Sequence, residues 1–230
     1  KLPSTLTEIG ECAFRDCVKL VSIDIPESLK IIRKGAFAYC NELTALALPN
    51  VMTTIESGIV QMSNKLKSLA VPFIGSSSDS EESNVTYSHF FLGGSGIFGG
   101  VPDSLKNLSV YGGKILRWSF WAKYNATGSA IDNANGILTS LTLGEGVTSI
   151  AYGALESLTA LKALVLPYAG VTSAEKVGQQ NQTLEYLFNE KFSYDTVTWK
   201  NLETLGVLSG EIPEAFYNNR NNQNVTNKFK

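Results

Sequence analysis

The chain has few of the residues that most catalytic and metal sites require. Its 230 residues include one histidine, three cysteines and 17% charged residues, whereas soluble domains average about 25% charged. With His89 as the sole histidine and no cysteines spaced C-x-x-C, no zinc site is predicted. No Ser–His–Asp arrangement is evident, and His89 lies in an aromatic run, which favours a packed histidine over a catalytic base. We therefore expect no enzyme activity, no catalytic residues, no metal and no cofactor.

Basic clusters and long apolar runs are also missing. The formal net charge is −2, and phosphate binding needs clustered lysine and arginine. No stretch approaches the roughly 18 consecutive apolar residues of a membrane span. The sequence thus predicts neither a nucleic-acid partner nor membrane insertion. It shows no signal peptide and begins with Lys1, so we expect a fragment of a longer chain.

What the chain does contain is a repeat. ECAFRDCVKLVSIDIP (11–26) returns as KGAFAYCNELTALALP (34–49), which sets a basic period of 23. The full pattern, L-x-x-I-x-x-x-A-F-x-x-C-x-x-L-x-x-I-x-I-P, keeps apolar or small residues in further copies that begin at Met52 and Val147. Weaker copies keep only the last part of the pattern, L-x-x-L-x-L/V, as at Leu105, Leu108 and Val110. The central strand residues of all copies are Ile23, Leu46, Leu69, Leu108, Leu141, Leu164 and Leu205.

A period of roughly 20 to 29 residues built on L-x-x-L-x-L is typical of a leucine-rich solenoid. We predict one domain over 1–230 with about eight copies: an α/β-type, right-handed leucine-rich-repeat solenoid. A parallel β-sheet should form one face, with short helical or irregular segments on the other. Alternation along the strand points Ile23 and Ile25 inward and Asp24 outward. Copies should stack about 4.8 Å apart.

Three copies are expanded, around 73–104, 125–136 and 170–201. Two of them contain aromatic runs, TYSHFFLGGSGIF (86–98) and TLEYLFNEKFSY (183–194). Two interpretations stay open for Tyr87, Phe90, Phe91 and Tyr186. They cover the edge of the solenoid itself, or they form protruding patches that contact a partner.

The outward strand positions define a predicted solvent face. Its middle column reads Asp24, Ala47, Ala70, Ser109, Thr142, Val165 and Gly206. Lys67, Lys106 and Lys162 flank this column, and Tyr111 stands at one strand end. So smooth a face suits a flat protein surface better than a catalytic pocket, although it is equally consistent with a merely solvated sheet. These four residues, together with the four aromatic ones, are the predicted partner-binding residues.

The remaining motifs favour structural roles. Cys17 and Cys40 occupy equivalent positions, which indicates packing, while a Cys12–Cys17 disulfide stays open. Residues 94–99 spell G-x-G-x-x-G but lack the strand and helix that a dinucleotide site needs. The serine-rich acidic stretch 76–83 lacks the ligand spacing of a calcium loop. Both stretches are interpreted as loops.

The phrase A-F-x-x-C-x-x-L-x-x-I-x-I-P resembles the BspA-like leucine-rich repeats, also described as the Treponema pallidum type. The match is most specific at Ala13-Phe14-x-x-Cys17 and Ala36-Phe37-x-x-Cys40, whereas Ala154-Leu155-x-x-Leu158 loses both Phe and Cys. The resemblance implies a secreted or cell-surface, non-enzymatic module for adhesion to host proteins or other cells. It implies no catalytic residues.

Two other functions remain open on the sequence alone. A carbohydrate-binding module would use Trp118, Trp121 and Tyr124, which follow one another closely enough to stack on a sugar. A structural spacer would only display another domain. A protein ligand is the leading expectation, with a glycan as the second.

Overall fold

The computed structural model describes residues 1–78, 86–92, 100–117, 119–120, 137–168, 184–188 and 201–209. Its elements in chain order are β1 (Glu8–Ile9), β2 (Ile31–Ile32), β3 (Ala45–Ala47), β4 (Thr54–Ile55), β5 (Ser68–Val71), a 3-10 turn (Tyr87–Phe90), β6 (Asn107–Ile115), β7 (Ser140–Ile150), β8 (Ala163–Leu166), α1 (Leu184–Phe188) and β9 (Thr204–Val207).

The longer sheet is parallel and runs in the order β3-β5-β6-β7-β8-β9. Its register aligns the residues that the repeat places at the strand centres. Leu46 pairs with Leu69, and the column continues through Leu108, Leu141, Leu164 and Leu205. The inward leucines are buried and the alternate positions face outward, as the period of two requires. The predicted parallel leucine-rich-repeat sheet is confirmed.

A second, shorter sheet was not expected. The strands β1, β2 and β4 pair in parallel, with Ile9 opposite Ile32 and Ile32 opposite Ile55. These isoleucines are 0–3% exposed, so the first half of each copy contributes its own column to the core. The strands β6 and β7 are longer and continue beyond the leucine column. Their last residues, Ile115 and Ile150, pair with each other as Ile9 and Ile32 do. Where the described residues form both columns, neighbouring turns are therefore hydrogen-bonded along two sides.

The first copy departs from the expected pattern. Residues 22–25 do not form a strand, although Thr44 N donates to Val21 O at 3.2 Å. Ile23 and Ile25 are only partly buried, and Val18 and Val21 are 48% and 54% exposed. Within the described chain this copy has a neighbour on one side only. Its outer side thus lacks the backbone and apolar contacts that a second neighbour gives the later copies.

The Ala-Phe positions stack as a third column. Phe14 N donates to Ala36 O and Phe37 N to Ile59 O, and the rings of Phe14 and Phe37 stack with centroids 5.1 Å apart. The turn before each pair uses left-handed backbone. Gly35, Gly58 and Gly153 have φ near +65°, and Cys12 has φ 56 at the position equivalent to Gly35. Glycine suits this turn because only glycine enters that region without a steric cost.

The cysteine column has a hydrogen-bonding role. Cys40 Sγ donates to Phe14 O at 3.1 Å, and Ser63 Oγ, one copy later, donates to Phe37 O at 3.1 Å. The thiol in one copy and the hydroxyl in the next thus donate to equivalent carbonyls, each at the phenylalanine of the preceding copy. All three cysteines are free, so Cys12 and Cys17 are not joined by a disulfide. The expected packing role of Cys40 agrees with its burial.

We expect the three thiols to differ sharply in reactivity. Burial raises the pKa of Cys40 to about 11, and its side chain is 0% exposed, whereas Cys12 and Cys17 are half-buried. Thiolates are the reactive form. Titration of the native protein with a thiol reagent at pH 8 should therefore count two fast thiols and one that reacts only after denaturation. Fast labelling of Cys40, located by peptide mapping, would contradict this burial.

Candidate functional site: the solvent face of the long sheet

The solvent face of the long sheet is lined by small side chains. Alternate residues of β3, β5, β6, β7, β8 and β9 point outward from the leucine core. They form two columns: Ala45, Ser68, Asn107, Ser140, Ala163 and Thr204, and Ala47, Ala70, Ser109, Thr142, Val165 and Gly206. Neither column contains an ionisable group. The face presents mainly methyl, hydroxyl and amide groups, which can contact a ligand but cannot perform acid–base chemistry.

Lysines border this face along one side. Lys106 N donates to Lys67 O at 2.9 Å, so Lys67 and Lys106 occupy neighbouring turns. Both side chains are exposed. Lys106 Nζ donates to Ile137 O at 3.3 Å, and neither lysine forms an ion pair with any described residue. Their charges add at this edge, which gives it a positive potential.

Lys162 lies further along the same border and differs from the other two lysines. Its ammonium is 3.2 Å from a carboxylate oxygen of Glu203, and both side chains are well exposed. An exposed pair of this kind contributes little to stability. The charge of Lys162 is therefore compensated by Glu203, unlike the charges of Lys67 and Lys106 among the described residues.

Tyr111 follows the last core valine of the β6 segment in the long sheet and is half-buried. Burial, assisted by the carboxylate of Glu27, raises the pKa of its phenol. The hydroxyl thus stays protonated at neutral pH and can donate a hydrogen bond. The backbone of Tyr111 is held closely, because a Cβ on Gly144 would lie 2.9 Å from Tyr111 Cα.

The aromatic run 86–92 lies in the core. Tyr87, Phe90 and Phe91 are all 0% exposed. Gly58 N donates to His89 O and Val60 N donates to Phe90 O. In the preceding copy, Gly35 N donates to Ser57 O and Phe37 N to Ile59 O in the same way. Phe90 and Phe91 thus fill the Ala-Phe column of a further copy. Tyr87, Phe90 and Phe91 are packed within the solenoid and do not protrude, so we correct their assignment as partner-binding residues.

The run 184–188 repeats this arrangement with one difference. Leu155 N donates to Leu187 O at 2.8 Å, and Leu187 and Phe188 are buried. Tyr186 is only half-buried, and its ring contacts Tyr152 with centroids 5.1 Å apart. Of the four predicted aromatic residues, only Tyr186 reaches the surface.

His89 packs inside this region. Its ring nitrogen Nε2 is 3.0 Å from Ile55 O, and the ring lies edge-on to Phe90. Burial lowers the pKa of its imidazole, and the bond to Ile55 O opposes that change. This arrangement agrees with a packed histidine.

We expect the single histidine to titrate below its ordinary pKa of about 6.5. The unfolded chain then binds more protons than the folded chain between the lowered pKa and 6.5, so the free energy of unfolding falls as pH drops through that window, and this histidine adds no further pH dependence below it. An NMR titration of the one imidazole checks this directly. An imidazole pKa at or above 6.5 would contradict its burial. His89→Gln should remove this part of the pH dependence and leave the carboxylate part.

Several other sequence motifs lie outside the described residues. These are the glycine pattern 94–99, the greater part of the acidic stretch 76–83, and Trp118, Trp121 and Tyr124. Within the described residues, no group of three or more histidine, cysteine, aspartate or glutamate side chains is placed to hold a metal. The same residues include no helix long and apolar enough to span a membrane.

These features define a leucine-rich-repeat protein whose long parallel sheet carries small side chains on its outward positions among the described residues. Residues 1–83 match the family model of the BspA type leucine rich repeat region, in 6 copies, and this part of the chain carries BspA-type repeats. A crystal structure of a leucine-rich repeat protein from Bacteroides ovatus is similar at 16% identity with a TM-score of 0.29, covering 90% of this chain. The chain spans 56% of that protein's length. No curated protein matches the chain.

Proposed function

We propose that the chain is a non-enzymatic recognition module that binds a protein ligand on the solvent face of its long sheet. The observation that carries this proposal is the uninterrupted double column of small, uncharged side chains over six parallel strands. Leucine-rich repeats in general serve as protein-binding modules, which is consistent with this face. Small side chains let a partner's backbone and side chains approach the sheet closely over a wide area.

Charge indicates the chemistry of the partner. Lys67 and Lys106 add two positive charges beside the face, with no carboxylate paired to them among the described residues. A partner with an acidic group opposite this edge gains attraction, chiefly in its association rate. Tyr111, which lies within β6 at its register shift and not at the predicted strand end, adds an aromatic ring and a hydroxyl donor, a combination enriched in binding hot spots.

A location on the cell surface or outside the cell, and adhesion to host matrix proteins or other cells, complete the proposal. They are supported by the BspA-type repeats of residues 1–83 rather than by any contact within the chain.

Binding to a panel of immobilised matrix proteins tests the proposed face. Ser109→Trp should reduce binding at least tenfold, because the indole would stand above the middle column and block close approach. Lys67→Glu with Lys106→Glu should lower the association rate and reverse its salt dependence. Surface plasmon resonance at two ionic strengths measures both effects.

Val51→Arg provides the matched control, since Val51 is 50% exposed but lies in the turn after β3, outside the face. It should bind as the unaltered chain does. If Ser109→Trp and Val51→Arg both leave binding intact, the long sheet is not the binding face. If no panel protein binds the unaltered chain, a structural spacer is favoured instead.

A further inference from the structure

A contacting pair of tyrosines, one exposed and one half-buried, lies on the turns that carry the Ala-Phe positions. Tyr152 lies just after the end of β7 and is 39% exposed. Its ring meets that of Tyr186 on α1 at an interplanar angle of 74°, with centroids 5.1 Å apart. Gly153 N donates to Tyr186 O at 2.9 Å, which ties the backbones of the two turns together. The rings form a corner with two differently oriented aromatic surfaces.

A charged pair lies beside this corner. Arg117 is two positions beyond Ile115, and Tyr152 is two beyond Ile150, the partner of Ile115 in the sheet. Arg117 Nη2 is 3.4 Å from Glu156 Oε2, with the guanidinium more exposed than the carboxylate, at 43% and 20%. The pair supplies N–H donors and carboxylate acceptors while its net charge is zero. Arg117, Tyr152, Tyr186 and Glu156 thus combine aromatic and polar groups across three successive turns.

We infer that these four residues form a binding site for a neutral carbohydrate. A pyranose presents an apolar C–H face, which packs on an aromatic ring, and hydroxyls, which take both donors and acceptors. The corner offers the ring, and Arg117 with Glu156 offers the two kinds of hydrogen-bonding group. Because the charges of Arg117 and Glu156 compensate each other, this pair gives no advantage to an anionic or cationic ligand.

The size of the patch favours a sugar over a protein. Three turns stacked about 4.8 Å apart span only about 10 Å. A stable protein interface usually buries about 800 Å² on each partner, which is far more than these four side chains offer. This site is separate from the proposed protein-binding face, since none of its residues lies on an outward position of the long sheet.

Titration with neutral and acidic oligosaccharides tests the site. The neutral probes are maltohexaose, cellohexaose and mannohexaose; the acidic probes are sialyllactose and hyaluronan hexasaccharide. We expect at least one neutral probe to bind and the acidic probes to bind no better. Tyr152→Ala should weaken that binding about tenfold or more, whereas Tyr152→Phe should keep it within about threefold, because the ring remains.

Two further variants sharpen the outcome. Arg117→Gln should also weaken sugar binding, and it carries the test if Tyr152→Ala lowers the melting temperature. Tyr111→Ala, which alters the sheet face, should leave sugar binding unchanged even where it reduces protein binding. The inference is overturned if no neutral probe binds at about 10 mM, if only acidic probes bind, or if binding survives both Tyr152→Ala and Arg117→Gln.

Discussion

Phe37→Ala should lower the free energy of unfolding by about 3–5 kcal/mol, the range for truncating a buried aromatic side chain. Phe37 is 0% exposed, and its ring stacks on Phe14 with an interplanar angle of 7°. Its amide also donates to Ile59 O at 2.7 Å in the next copy. Removing the ring leaves a cavity between two turns that their hydrogen bonds hold in place, so collapse around the gap is limited. Urea denaturation followed by circular dichroism measures the loss.

Phe14 offers a matched control within the same motif. It occupies the equivalent position in the first copy, but it is only partly buried because the described chain provides a neighbour on one side. Phe14→Ala should therefore cost about 1–2 kcal/mol, in proportion to the smaller apolar area lost from burial. Equal losses for the two variants would mean that position along the stack does not govern stability. A loss below about 1 kcal/mol for Phe37→Ala would show that the copies do not depend on this column.

The main sheet was predictable because its signal is periodic and redundant. Leu46, Leu69 and Leu108 each lie at the centre of the same L-x-x-L-x-L/V pattern. The strand register could therefore be predicted even where the spacing lengthens between Leu69 and Leu108. The second sheet is equally periodic at Ile9, Ile32 and Ile55. Its strands are two residues long, however, and two residues cannot display the alternation that identifies a strand.

The aromatic residues show a different limit. Phe91 fills the column of Val60, but it follows Val60 at a longer interval than the basic period. A fixed-period search misses it, and an aromatic run inside an insertion then suggests a surface patch. The signal that could have identified the copy is the residue pair itself. Phe90-Phe91 takes the place that Ala-Phe takes in the first copies.

The candidate face followed from strand alternation, since Ala70 and Ser109 had to point outward once Leu69 and Leu108 pointed inward. By contrast, the Tyr152–Tyr186 contact depends on how α1 docks after an expanded copy. No repeat spacing encodes that geometry.

Among the described glycines, Gly146 has the closest approach to backbone, and Gly146→Ala should lower the free energy of unfolding by about 2–3 kcal/mol through overpacking. A Cβ at this position would lie 2.7 Å from Tyr111 O and 3.2 Å from Gly112 Cα. Both contacts are backbone atoms in a strand that pairs with β7 on either side of a register shift. They cannot move aside as a flexible side chain would. The substitution must instead separate β6 from β7 at the register shift between Val110 and Gly112.

Gly10→Ala is the control, because nothing lies within 4 Å of the added Cβ. It should change the free energy of unfolding by less than about 0.5 kcal/mol. Chemical denaturation of both variants gives the comparison, and hydrogen exchange shows where protection is lost. Gly146→Ala should weaken protection in β6 and β7 before it affects β3. If both variants unfold at the same denaturant concentration, the close approach at Tyr111 does not constrain the fold. If protection instead falls evenly along the stack, the register shift is not a separate point of weakness, since a clash there acts first on the two strands that it pushes apart.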